Sequence, residues 1–212
     1  MSQNQFVLNR RGLLIGSGAL IVTGCSDLIG PSSTPQQLYV LRPSGGVSTA
    51  GPKVPWSLSV VTTTISDHLD SARIALTQAD NSIDFYAAAA WTDHLPRLVQ
   101  EALVEAFENS ARISAVSADS EGFHADYILQ TQIRDFEARY DRPDGIPTVL
   151  VRIESKLAPS RGREIVASLN SVHQVQASEN SVPAAVRAFG DALGAVLSDV
   201  VNWTLSAPPP PE

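Results

Sequence analysis

A lone cysteine, Cys25, closes an apolar run that begins at Gly12 and follows Arg10 and Arg11. Basic start, apolar middle and small residues before a processing point is the order of a secretory signal peptide. The run is too short to cross a bilayer, whose roughly 30 Å hydrocarbon core takes about 20 apolar residues. Whatever folds must therefore fold after residue 24. With no second cysteine in the chain, no intrachain disulfide can staple it. An ordinary hydrophobic core has to hold it, and the remaining length suits one domain of normal size.

Val22-Thr23-Gly24-Cys25 has the aliphatic-small-Gly-Cys order of a bacterial lipobox. That resemblance implies cleavage before Cys25 and acylation of its thiol. Each buried methylene contributes about 0.8 kcal/mol, so two or more acyl chains anchor stably where one holds reversibly. Ser26, not Asp, follows the cysteine, which by the same resemblance favours the periplasmic face of the outer membrane over the inner. Asn9 to Leu14, with paired arginines, looks like a twin-arginine export motif and equally like an ordinary basic n-region.

Removing residues 1–24 takes away Arg10 and Arg11 and no acid, so the formal charge moves from −7 to −9. An acidic chain without a Lys/Arg cluster lacks the face that neutralises phosphates, which argues against nucleic-acid binding. It also argues against electrostatic docking on anionic lipid, leaving attachment to the acyl anchor.

Residues 25–37, rich in Ser, Pro and Thr, read as a flexible tether. Residues 38–206 read as one domain and 207–212 as a disordered Pro-rich tail. Strands are expected over 38–41, 57–64, 73–77, 83–86, 113–116, 127–140, 149–157 and 165–173, from alternation and β-branched content. Leu95, Leu98, Val99, Ala102, Leu103 and Ala106 recur at helical spacing, with Thr92 or Asp93 as the cap. Val186, Phe189, Leu193, Val196, Leu197 and Val200 form a second stripe, capped by Asn180 or Ser181. Phe136 has the wrong parity to follow Tyr127, Leu129, Thr131 and Ile133, so a bulge is expected near Arg134-Asp135. The layout is α+β: a mixed, largely antiparallel sheet with two amphipathic helices on one face.

Catalytic chemistry is hard to find. His68, His94, His124 and His173 are scattered without ligand spacing, and no phosphate-binding loop or His-Glu-x-x-His is present. No catalytic residue, metal ligand or cofactor site is assigned. Asp135 and Glu137 share a strand face but read as a solvated pair rather than an acid–base couple. Phe85, Tyr86 and Trp91 fall between a strand and a helix start. Such rings either pack in a core or line an apolar groove or subunit seam.

The ordered set of Tyr39-Val40-Leu41, Arg73-Ile74-Ala75, Asp84-Phe85-Tyr86, Trp91 to Pro96, Ala125-Asp126-Tyr127, Asp135-Phe136-Glu137, Ala188-Phe189 and Trp203 behind a lipobox resembles the auxiliary lipoproteins of ABC-type transport systems, of the PqiC/YmbA type. That resemblance implies a non-catalytic chain with a TolB N-terminal-domain-like fold. It also implies partnership with an MCE-domain protein, a permease and an ATPase in lipid transport between two membranes, and assembly into homo-oligomers. The other reading of the same features is a general envelope scaffold or adaptor lipoprotein with a TolB-like domain. Both place Cys25 at the anchor. Cys25→Ala is expected to abolish fatty-acid labelling and leave an unprocessed or soluble precursor, read by metabolic labelling and fractionation.

Overall fold

The computed structural model describes residues 36–209 apart from 120, 121, 123 and 163; the processing motif Val22, Thr23, Gly24 and Cys25 lies outside them. Eight strands and two helices follow in the order β1 (Gln37–Tyr39), β2 (Val54–Val60), β3 (Arg73–Thr77), β4 (Ile83–Trp91), α1 (Leu95–Ser110), β5 (Ile113–Ala118), β6 (Tyr127–Arg139), β7 (Thr148–Pro159), β8 (Ala167–Gln176) and α2 (Val182–Leu205). They form one mixed sheet with both helices packed on it, the α+β arrangement expected.

β6 organises the sheet. Along one edge it pairs antiparallel with β7 over its whole length, and β7 pairs antiparallel with β8. Its other edge is shared: the first residues pair parallel with β2, the last with β3. β2 continues outward to β5, whereas β3 continues through β4 to β1. The register of β6 against β7 shifts between Ile133 and Asp135, where the expected bulge falls. Because of it, Tyr127, Leu129, Ile133, Phe136 and Ala138 all reach the core despite their mixed parity.

α2 packs on β7 and β8, α1 packs on β5 and β2, and the helices touch each other. Between them and the sheet lies an aromatic trio. Trp91 meets Phe189 edge-on at 5.4 Å and Phe136 at 6.2 Å, while Phe136 and Phe189 stack at 4.8 Å. A second pair, Trp56 and Tyr127, meets edge-on at 5.1 Å. The Tyr127 hydroxyl donates to the Pro208 carbonyl at 3.0 Å, tying the chain beyond α2 back to β6.

Several boundaries differ from expectation. β2 starts at Val54 and ends at Val60, not over 57–64, because its first residues are held by parallel pairing with the distant β5. β4 does not stop at Tyr86 but runs to Trp91 through four alanines. Alanine has little preference for strands, and pairing with β1 and β3 overrides it, with Ala88 taking φ 52° where the strand bulges. The α1 cap is His94, without a side-chain bond; Asp93 instead accepts the His94 backbone N–H at 2.7 Å. At α2, Ser181 is the cap, accepting the Ala184 N–H at 3.3 Å.

Trp91 is 1% exposed. Trp91→Ala is expected to destabilise the fold by about 3–5 kcal/mol, as large-to-small core changes at aromatics do; urea unfolding measures it, and an unchanged midpoint would place the ring elsewhere.

Candidate functional site

Of the three aromatics, burial removes Trp91 from any groove or seam, leaving Phe85 and Tyr86 half-buried. The Arg73 guanidinium lies 3.6 Å over the centre of the Phe85 ring, a cation–π contact across β3 and β4. Tyr86 bonds Tyr140 at 2.9 Å, and the Tyr140 hydroxyl donates to Asn180 at 3.0 Å. Tyr140 spends its one proton on Asn180, so Tyr86 is the donor in that pair. Burial first, then the bond with Tyr140, pushes the Tyr86 hydroxyl well above its ordinary pKa. It titrates far from neutrality and serves as a fixed donor.

The histidines do not converge. His94 Nδ1 lies 3.2 Å from Asp70, both well exposed. His173 Nε2 lies 2.7 Å from Asp199 Oδ2, and the Ser171 hydroxyl donates to that same oxygen at 2.7 Å. Ser, His and Asp are thus together but in the wrong order. Nucleophilic catalysis needs the hydroxyl on the imidazole with the carboxylate behind it, whereas here the carboxylate sits between the two. Burial pushes the Asp199 carboxyl up, but the bonds from His173 and Ser171 and the imidazole's charge outweigh it, leaving it below the usual range. The cluster acts as a polar clip between β8 and α2.

Asp135 and Glu137 are not the solvated pair expected. Arg139 reaches both, with Nε 2.7 Å from Glu137 and Nη2 3.2 Å from Asp135. Arg152 also bonds Asp135, and Thr77 donates to Glu137 at 2.7 Å. Next to them Arg134, at the bulge, donates to Glu154 at 3.0 Å, with Lys156 3.2 Å away on the other oxygen. These residues make an ion-pair ladder along the sheet face opposite the helices, bordering a groove of about 430 Å³. Each oxygen of Asp135 and Glu137 accepts a bond from an arginine or a threonine, so both carboxylates are held as structural acceptors. Among the described residues no group of three or more His, Cys, Asp or Glu is placed to hold a metal.

One feature escaped the sequence reading. Gly190 and Gly194, one turn apart on α2, form a slot into which the segment after β1 descends. The Ser44 N–H donates to the Gly190 carbonyl at 3.0 Å, and the Ser44 hydroxyl bonds Asp191. A Cβ on Gly190 would stand 2.3 Å from the Arg42 carbonyl oxygen, and one on Gly194 1.8 Å from that of Ser44. The strap so seated closes a cleft of about 310 Å³ with α1 and α2, its apolar wall given by Val47, Ala102, Ala106 and Leu197 and its rim by Glu105 and Asn109. A larger groove, about 620 Å³, runs between α1 and β5 past Glu101, Glu105 and Glu108. That acidic flank opposes the phosphate of a lipid headgroup. Arg112, 7% exposed, bonds Asn202 on α2 at 2.8 Å and lies under Gly51, so the loop before β2 is seated on it. The Gly-x-x-x-Gly spacing was the available signal for the slot; nothing local signalled Arg112.

The profile of the ABC-type transport auxiliary lipoprotein component matches residues 39–201, the stretch from β1 into the last turns of α2. The chain belongs to that family. An uncharacterised protein of Bradyrhizobium diazoefficiens is 27% identical over 203 residues, which are 92% of this chain and 53% of that one. The chain therefore spans about half the length of that relative. The crystal structure of protein XCC0632 from Xanthomonas campestris superposes with a TM-score of 0.74 at 27% identity, covering 80% of this chain and 94% of that one. A second crystal structure, of an uncharacterised protein, shares the fold at a TM-score of 0.60 and 13% identity, over 81% and 99% of the two chains. Among the described residues no helix of this auxiliary lipoprotein is long and apolar enough to cross a membrane.

The strap gives a sign-sensitive test. An interior helical Gly→Ala change ordinarily gains about 1 kcal/mol, whereas forcing a methyl into a filled site costs about 1–3 kcal/mol. Gly194→Ala is expected to lower the melting temperature; a rise would show that the strap is not seated in the slot.

Proposed function

We propose that the chain is a non-catalytic accessory subunit of an ABC-type, MCE-containing system that moves lipid between two membranes, held at the periplasmic face of the outer membrane by an acylated Cys25. The leash in this reading is the stretch between Cys25 and β1, shorter than the expected 25–37 because Gln37 already pairs with Ala89, and the domain beyond it is the docking piece. Its partners in this reading are an MCE-domain protein, a permease and an ATPase, together with further copies of itself. It needs no cofactor.

The observation that carries the reading is the family match over residues 39–201, behind a processing motif ending at Cys25. The side-chain geometry supports it. The clusters that could have been catalytic are clips and ladders whose polar atoms bind one another, as with Asp199 between Ser171 and His173. A domain of that kind acts by where it is held and what it binds. The acidic groove beside α1 supports a protein-docking role over a headgroup-carrying one.

Co-purification tests it. Solubilised in mild detergent from its own membranes, the acylated protein is expected to bring down an MCE-domain protein with its permease and ATPase. Clean recovery of the protein alone would overturn the reading.

A further inference from the structure

The chain through β1 is apolar on both of its sides. Tyr39 and Leu41 turn toward the core, Tyr39 beside Trp91 and Leu41 buried. Alternation sends Leu38 and Val40 to the opposite face, where they are 61% and 52% exposed. A sheet with one face in solvent ordinarily turns polar residues outward. Here the outward positions of the first strand are aliphatic.

The patch continues onto the neighbouring strands. Register sets Leu38 beside Ala90 and Ala90 beside Arg73, whose guanidinium lies over the Phe85 ring. Phe85 and Ile83 pair with Ala75 and Thr77 of β3, and Thr77 bonds Glu137 of the ion-pair ladder. All of them therefore stand on the sheet face away from the helices, with Ile83 47% exposed. β1 reaches only from Ala89 to Trp91, so the first half of β4 is itself an edge. We propose that this margin of the domain touches the membrane, with Leu38, Val40, Ile83 and Phe85 seated in the interfacial zone of a zwitterionic bilayer and Arg73 at the headgroups.

The leash says what covers the patch, and the proposal rests on the acylated Cys25 of the reading above. Residues 26–36 separate Cys25 from β1. A flexible stretch of that length has an end-to-end distance of roughly 20 Å. The strand order β1-β4-β3-β6 continues through β7 to β8. Spacings of about 4.8 Å set those two edges roughly 24 Å apart. The anchor thus keeps the β1 edge the nearer one, and its aliphatic side chains meet the bilayer at high effective concentration. The side chains suit that layer. Arg73 has an apolar stem and a charged head laid across an aromatic ring, which lets the head reach headgroups while the stem stays with its apolar neighbours. The acid of the chain, with a formal charge of −7 before processing, selects neutral over anionic headgroups.

Site-directed fluorescence tests it on the acylated full chain in phosphatidylcholine vesicles. Acylation consumes the Cys25 thiol, so a single new cysteine takes the label. Leu38→Cys and Val40→Cys carry an environment-sensitive dye on the patch. Val172→Cys carries it on the same sheet face at the far edge, beside Arg152, where the side chain is 43% exposed. All three side chains are exposed, and an unchanged melting temperature confirms the fold. Interfacial groups sit about 5–10 Å into the headgroup boundary. Dye at 38 and 40 is therefore expected to shift to the blue and to be quenched by nitroxide-labelled lipid several times more strongly than dye at 172. A vesicle-bound chain whose dye at 38 stays water-like would overturn the contact and leave the anchor standing. A blue shift at 38 without quenching by lipid would show that another chain or the leash covers the patch, and would overturn it too. Equal quenching at 38 and 172 would do the same, because the domain would then lie flat. A parent chain that does not float with the vesicles would overturn the anchor and the contact together.

Discussion

The long antiparallel pairing of β6 with β7, and the single extra residue within it, is the constraint on which the rest of the structure depends. A strand alternates its side chains between two faces, so a slip of one residue exchanges core for solvent. Up to Ile133 the odd positions of β6 face the helices; beyond Arg134 the even ones do, and Phe136 and Ala138 stay inside. Without the bulge Phe136 would turn to the open face, leaving Trp91 and Phe189 without their third ring. Asp135 and Glu137 would then turn inward, two carboxylates under a hydrophobic helix. The bulge also frees Arg134 to bind Glu154, starting the ladder on the opposite face.

The same strand explains why a chain with mostly local hairpins needs distant pairings to close. β6 is long enough to accept two partners end to end on one edge, β2 low and β3 high. Thr64 bridges to Gln132 between them, and the Thr63 and Thr131 hydroxyls bond at 2.8 Å in a buried setting. Gln100 of α1 adds a cross-tie, donating to the Val60 carbonyl at 2.9 Å and to Asp119 at 2.8 Å. The point where the sheet divides would otherwise expose unpaired backbone groups, and buried polar groups are costly unless bonded. Here the backbone of the segment after β2 supplies most of the partners, with the Val61 N–H donating to Leu129, the Thr64 N–H to Thr131 and the Ile133 N–H to Thr64, and Gln100 adds one from α1.

These features were unequally legible. Amphipathic periodicity located both helices and the β6–β7–β8 meander, because their burial follows a simple period; parity alone located the bulge. Ala87 to Ala90 carry no period and little β preference, so nothing local announced that β4 continues to Trp91; pairing with β1 and β3 decides it. Val54 likewise belongs to β2 only because Ile113 lies beside it. For the functional residues the position is reversed. The anchor proposed at Cys25 is read from four residues of sequence, because the motif is linear. The strap over Gly190 and Gly194 depends on contacts between segments far apart in the chain, and a glycine in a helix does not say what fills the space it leaves.

The charge distribution bears on what such a domain can do once held at a membrane. One sheet face is a ladder of paired arginines and carboxylates, each charge largely spent on its neighbour. The more open pairs, Arg134 and Lys156 on Glu154, are of a kind that adds little stability, on the order of 0–1 kcal/mol each. They do keep the face wet and unattractive to apolar partners. The helix side carries the unpaired excess of acid, with Glu105 and Glu108 facing the groove beside α1. The helix side disfavours an acidic lipid surface and the ladder's charges are spent on one another, which leaves the attachment proposed above to the N-terminal end of the chain. What remains without charge is the rim of the sheet. A chain with its excess acid on one face, its other face self-paired and its strand edges uncharged can offer those edges to other proteins, which fits the tethered, assembled subunit proposed above.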